Sequence, residues 1–122
     1  LFATVPDIVM GRLAMPGGPV YLPYGRRNFG ALHIWDRHAA EMARKGFHAF
    51  TDVPAFVARV VRPGAPLHFE GGSRDERLAV VQSVSGTAIL QLVQRPGQES
   101  HYSVVTVYLG FNRHGPRVGT LL

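Results

Sequence analysis

The feature that most restricts the fold of this 122-residue chain is a change of hydrophobic period at Arg62-Pro63-Gly64. Beyond it, β-branched and aromatic residues fill short extended runs at residues 67–70, 78–84, 87–93 and 102–109. Extended backbone sends alternate side chains to opposite faces, and such runs must pair into a sheet to satisfy their N–H and C=O groups. GGSRDE, Ser85-Gly86 and QRPGQE separate them, all turn compositions. Connections this short predict an antiparallel meander, with a further strand expected over residues 117–122.

Upstream the period is helical. Residues 31–45 (ALHIWDRHAAEMARK) are good helix formers that end in Arg44 and Lys45, with Gly46 just beyond. Trp35, Ala39, Met42 and Ala43 form the expected buried stripe, leaving Arg37, Glu41 and Arg44 on another side. A second helix is expected near residues 53–61, capped by Thr51 or Asp52, with Pro54 in its first turn and Phe56, Val57, Val60 and Val61 as its apolar face. Residues 1–24 carry Pro6, Pro16, Gly17, Gly18, Pro19 and Pro23 and read as an irregular lead-in. The expected fold is one α+β domain, its N-terminal helices packed on one face of a four- to five-stranded antiparallel sheet. Residues 25–114 are its expected catalytic core.

Charge narrows the partners. The formal charge is +5 with a pI near 10.4, and Lys45 is the only lysine, so the excess is carried by arginine. Arginine forks pair with phosphate oxygens and stack on bases, which suits a nucleic-acid ligand. The chain has no cysteine, which excludes disulfides, thiolate metal sites and cysteine nucleophiles. No apolar run approaches the roughly 20 residues of a membrane span. The opening LFATVPDIVMGRLAMPGG lacks a basic n-region and does not begin with Met, so the sequence reads as one domain of a longer protein.

Two stretches carry chemistry. Gly25-Arg26-Arg27-Asn28-Phe29-Gly30 leads into Leu32-His33-Ile34-Trp35-Asp36-Arg37-His38, placing arginines and histidines at a loop-to-helix junction whose free N–H groups favour an anion. RNA cleavage without a metal needs a base for the ribose 2′-OH, an acid for the leaving 5′ oxygen and a cation for the phosphorane charge. Histidine and arginine supply all three. His33 is expected at the positive helix end on one face with Arg37, whereas His38, about 140° round an ideal helix, is expected to point elsewhere. In the last long strand, period two sends His101, Ser103, Val105, Val107 and Leu109 toward the core. Tyr102, Thr106 and Tyr108 then lie on the surface just before Asn112-Arg113-His114, where hydroxyls and rings can orient a phosphodiester or stack a base.

Other patterns exclude rather than suggest. The histidine spacing is not that of a helical zinc pair, no Gly-x-Ser-x-Gly elbow occurs, and Gly71-Gly72-Ser73 lacks the lysine of a phosphate-binding loop. His48, His68, His101 and His114 are scattered and expected to be structural or superficial. Arg74 and Arg77 flank Asp75 and Glu76 in a turn, as a solvated loop or a phosphate clamp.

The order of these features resembles the toxin nucleases of the barnase, EndoU, colicin and RelE superfamily, found at the C-termini of contact-dependent growth inhibition proteins. The resemblance rests on His33-Ile34-x-x-Arg37-His38 in an early helix, the second helix near residues 53–61, and Tyr102-Ser-Val-Val-Thr106-Val-Tyr108, and covers residues 25–114. It implies a cofactor-free endoribonuclease, often a tRNase, that leaves a 2′,3′-cyclic phosphate. Catalysis would fall to His33, Thr106 and Tyr108, with Arg37 and His38 beside them, and substrate would be held by Arg26, Arg27, Arg77, Tyr102 and Arg113. No lysine lies in the sheet, so arginine would replace the catalytic lysine of better-known members. The resemblance also implies an acidic immunity protein and export within a larger bacterial effector acting in the target-cell cytoplasm. Two other readings use the same side chains: a non-catalytic RNA-binding module, and a domain acting on NAD. The second lacks a well-placed glutamate on a late strand to support glycosidic chemistry.

Overall fold

The structure is a computed structural model that describes residues 2–11, 13–70, 78–110 and 115–122. Four short strands come first: β1 (Thr4–Val5), β2 (Ile8–Met10), β3 (Leu13–Met15) and β4 (Gly18–Tyr21). Helix α1 (Gly30–Arg44), a single 3-10 turn (Phe50–Asp52) and α2 (Val53–Ala58) follow, then β5 (Pro66–Glu70), β6 (Leu78–Ser83), β7 (Gly86–Val93), β8 (His101–Tyr108) and β9 (Arg117–Thr120). Both expected helices and all five expected strands are present, but the architecture built from them differs from the expected one.

The protein is mostly sheet. Among the described residues, seven strands form one mixed, nearly closed sheet in the order β1-β4-β8-β7-β6-β5-β9, and β2 and β3 form a separate hairpin. Helices on one face of a four- to five-stranded antiparallel sheet do not describe it. The difference originates in residues 1–24, expected to be irregular. Their prolines and glycines keep each strand short without preventing pairing. At Gly18 a Cβ would collide with the Ser100 carbonyl, so only glycine lets β4 approach the start of β8. There β4 runs parallel to β8, with Val20 opposite Tyr102 and Tyr21 opposite Ser103. Across the remaining gap Thr4 and Leu122 exchange two backbone hydrogen bonds of 3.0 and 2.8 Å, joining the two ends of the sheet at one residue pair.

A single core fills the inner side. Leu67, Ala79, Val81, Ala88, Leu90, Tyr102, Val104 and Val107 come from the sheet, Ile34 and Met42 from α1, and Val53, Phe56 and Val57 from α2. α1 lies alongside β8 rather than across the sheet. On β8, β4 pairs only with Tyr102 and Ser103, and past the end of β8 Glu41 of α1 accepts the Leu109 N–H. The expected stripe of α1 is corrected too: Ala31, Ile34 and Met42 are buried, Trp35 and Ala39 are half-buried, and Ala43 is exposed. At about 100° per residue Ala31, Ile34 and Met42 fall within an arc of about 80°, centred to one side of the expected stripe, so that Trp35 and Ala39 border it and Ala43 lies outside; the helical backbone is broken at His38 (φ −125°, ψ 16°).

β8 has its own interruption. Ile89 pairs with Thr106 but Leu90 pairs with Val104, so Val105 is an extra, bulged residue. Tyr102 and Val104 therefore face the core before the bulge and Val107 after it, instead of one alternation running through the strand. Thr106 and Tyr108 remain on the outer face, as expected, but Tyr102 does not join them. Among the described residues, no helix is long and apolar enough to cross a membrane.

Candidate active site

The approach to α1 is a tight loop. Arg26 N–H donates to the Phe29 carbonyl at 2.9 Å, and glycines with positive φ stand on either side, Gly25 at +85° and Gly30 at +79°. A Cβ on Gly25 would strike the Phe29 carbonyl, so this loop requires glycine there. Arg26, Arg27 and Asn28 are exposed on it. The N–H groups of Ala31 and Leu32 donate to the carbonyls of Pro23 and Tyr24, each at 3.0 Å. Two donors of the first turn are thus already used, so the expectation of free N–H groups for an anion is corrected. Positive charge here comes from the arginine side chains.

His33 is held by this loop. Its Nδ1 lies 2.8 Å from the Arg27 carbonyl, which can only accept, so Nδ1 carries the proton and Nε2 is left as the free acceptor of the neutral ring. The His38 ring stands edge-on to it with centroids 6.2 Å apart. This corrects the expectation that the two histidines diverge, because the broken helical geometry at His38 swings its side chain off the ideal spacing. On its other side His38 meets the Tyr108 ring, also at 6.2 Å and tilted by 34°. A line of three rings thus connects the start of α1 to the end of β8.

Glu41 completes the group. Its Oε2 lies 3.5 Å from His38 Nδ1 and accepts the Leu109 N–H at 3.0 Å. Burial lowers the His38 pKa below its ordinary 6.5, Glu41 opposes that shift, and the charges of His33 and Arg37 reinforce it. His38 is therefore a neutral imidazole at pH 7. Arg37 is exposed and near enough for its charge to reach His38. The sequence reading placed Glu41 with Arg37 on the side away from the buried stripe and gave it no role, although its spacing of three from His38 on one helix was the signal that could have found it.

The loop that holds His33 through the Arg27 carbonyl also walls a cleft of about 240 Å³, between Asn28-Phe29 and the sheet residues Leu78, Ile89, Gln91 and Val105. Ile89 pairs with Thr106, so Thr106 adjoins this floor. The Thr106 Oγ1 is buried and has no hydrogen-bond partner among the described residues. The structure therefore brings together His33, His38, Arg37 and Tyr108, with Thr106 two residues along on the same face and Arg26 and Arg27 on the approach loop. Tyr102 is separate: it is fully buried, and its hydroxyl donates to the Pro16 carbonyl at 2.8 Å, which corrects its assignment as a substrate-binding residue. Arg77 and Arg113 lie outside the described residues. Among the described residues, no three His, Cys, Asp or Glu side chains converge as a metal site. Compared with known proteins, the chain matches no family model, no curated protein and no solved structure.

Proposed function

We propose that the chain is a metal-independent endoribonuclease acting by 2′-OH attack on the adjacent phosphorus. The observation that carries this reading is the contact of His38 with both His33 and Tyr108, with His33 held by the loop whose Asn28 and Phe29 line a cleft over Ile89. His38, kept neutral by burial, takes the 2′-OH proton as general base. The 2′ oxygen bonds to phosphorus, the P–O5′ bond breaks, and His33 in its protonated form gives its Nε2 proton to the departing 5′ oxygen. The products are a 2′,3′-cyclic phosphate and a free 5′-OH. Arg37 and the loop arginines Arg26 and Arg27 offset the charge that develops on the phosphorane oxygens. Asn28 and Gln91 offer amide groups to a base edge, and the Thr106 hydroxyl offers a partner to the sugar or phosphate.

The arginine excess and the resemblance to toxin nucleases support the same reading and make tRNA the first substrate to try. An acidic immunity protein capping the basic loop follows from it, since complementary fields speed capture. So does delivery within an exported bacterial effector to a target-cell cytoplasm. The test is incubation of the purified chain with bacterial RNA in EDTA beside His33→Ala and His38→Gln variants, with products resolved on a denaturing gel. Discrete fragments ending in a cyclic phosphate, lost with either variant, are the expected result. Intact RNA, or cleavage that both variants retain, would overturn the proposal.

A further inference from the structure

A second concavity lies at the other side of the sheet's outer face. It spans about 710 Å³ between the turn after α2, the ends of β5 and β6, and β9, and its cationic groups are Arg62 and Arg117, with the imidazole of His68 beside them. His68 is paired with Val80, Val80 with Ile89, and Ile89 with Thr106. Three strand spacings, roughly 14 Å, therefore separate His68 from Thr106. A shorter row joins the two sites as well: Gln82, in this cleft, is paired with Thr87, and Thr87 with Tyr108, so two strand spacings, roughly 9–10 Å, separate this cleft from the ring cluster. Between the two, the Gly110 carbonyl accepts from Thr87 Oγ1 at 2.8 Å, and the Gly115 carbonyl lies 2.9 Å from His68 Nδ1. The cleft is thus a separate site on the same face.

Its chemistry is specific in four respects. Arg117 is oriented by its own strand: Nε donates to the Gly119 carbonyl at 3.3 Å and one terminal nitrogen donates to Thr120 Oγ1 at 2.9 Å, so the other terminal nitrogen can point its N–H groups to a ligand. Arg62 is exposed in the turn after α2. Among the described residues no carboxylate lines the cleft and neither arginine has an acidic partner. The remaining wall is largely apolar, with Pro63, Pro66 and a fully exposed Val84. Two unneutralised guanidinium groups beside an apolar wall match a phosphate joined to a ring system. The volume far exceeds a bare phosphate and falls in the range of small-molecule sites.

We infer that this cleft is a nucleotide site, in which Arg62 and Arg117 hold a phosphate and the Pro66 and Val84 surface takes the base. It requires no RNA cleavage and stands whether or not the chain is a ribonuclease. The phosphate can belong to a free mononucleotide or to a strand that also reaches the cleft at Asn28 and Phe29.

The test is titration of the intact chain with AMP, adenosine and a short 2′-deoxy oligonucleotide, followed by amide NMR and calorimetry. AMP should shift the amides of Gly64, Ala65, Val84 and Arg117 and bind at least about tenfold more tightly than adenosine, as a charge-assisted phosphate contact implies. Arg62→Gln and Arg117→Gln, folded by circular dichroism, should each weaken AMP binding about fivefold or more, whereas His33→Ala leaves it unchanged and removes only RNA cleavage. An oligonucleotide that binds more tightly than AMP and also shifts Asn28 and Phe29 identifies a strand as the ligand; one that binds no better identifies a free nucleotide. Equal binding of AMP and adenosine, no shifts in the cleft, or unchanged AMP affinity in both arginine variants would overturn the inference.

Discussion

Glu41 on α1 accepts the backbone N–H of Leu109 at the end of β8 at 3.0 Å, and the same oxygen stands 3.5 Å from His38 Nδ1. One carboxylate therefore fixes the helix to the strand edge that β4 does not reach, and sets the electrostatic surroundings of a candidate catalytic histidine. The two tasks are separable because the first needs only an acceptor and the second needs a charge.

That separation gives the first prediction. Glu41→Ala leaves the Leu109 N–H unpaired and should destabilise the fold by about 1–2 kcal/mol, whereas Glu41→Gln retains an acceptor and should cost less than half as much. Both variants remove the charge that raises the His38 pKa, so the acidic limb of the pH–rate profile should move to lower pH in each. Urea unfolding and pH–rate curves for RNA cleavage measure the two effects. Equal stability of the Ala and Gln variants would show that the Leu109 contact contributes nothing.

Stability should also depend on pH through His38. Burial holds its folded pKa below 6.5, so the unfolded chain binds the proton more readily than the folded one. Its contribution is present in full above the unfolded pKa and is lost as pH falls through 6.5 toward the folded value. His38→Gln should therefore lose less stability than the wild type between about pH 7.5 and pH 5, the histidines away from this cluster acting alike in both chains. Parallel lines of unfolding free energy against pH for the two proteins would rule this out.

How far the sequence revealed this molecule depends on which interactions were local. The helix at residues 31–45 and the strands from residue 67 onward announce themselves by period and turn chemistry, and they fold where expected. The strands within residues 1–24 are two to four residues long; β2 and β3 pair with each other, whereas β1 and β4 join the main sheet through partners far along the chain, Tyr102 for Val20 and Leu122 for Thr4, which no local pattern encodes. The histidine cluster was half legible. His33 and Tyr108 follow from composition and strand period, but bringing His38 to His33 required a break in helical geometry that neither proline nor glycine marks in residues 31–45. The bulge at Val105 is equally silent, and it is what sends Tyr102 inward while leaving Tyr108 outside.

Tyr102 tests that inversion. Its hydroxyl donates to the Pro16 carbonyl at 2.8 Å inside the core, tying β8 to the segment between β3 and β4. Tyr102→Phe keeps the packed ring but leaves the buried carbonyl short of a donor, for a loss of about 1–2 kcal/mol. RNA cleavage at temperatures where the variant is folded should be unchanged. A stable variant with impaired cleavage would return Tyr102 to the substrate surface.

Thr106 should behave in the opposite way. Its Oγ1 is buried without a partner among the described residues, a state that costs desolvation free energy and returns no hydrogen bond. Thr106→Val replaces the hydroxyl with a methyl of similar volume and should leave stability unchanged or raise it by up to about 1 kcal/mol. If that hydroxyl meets the sugar or phosphate of bound RNA, the same variant lowers cleavage by roughly tenfold while His33 and His38 stay in place. Gain of stability with loss of activity is the signature of a polar group kept for a ligand. A variant that is more stable and fully active would remove Thr106 from the site and leave the chemistry to the two histidines and Tyr108.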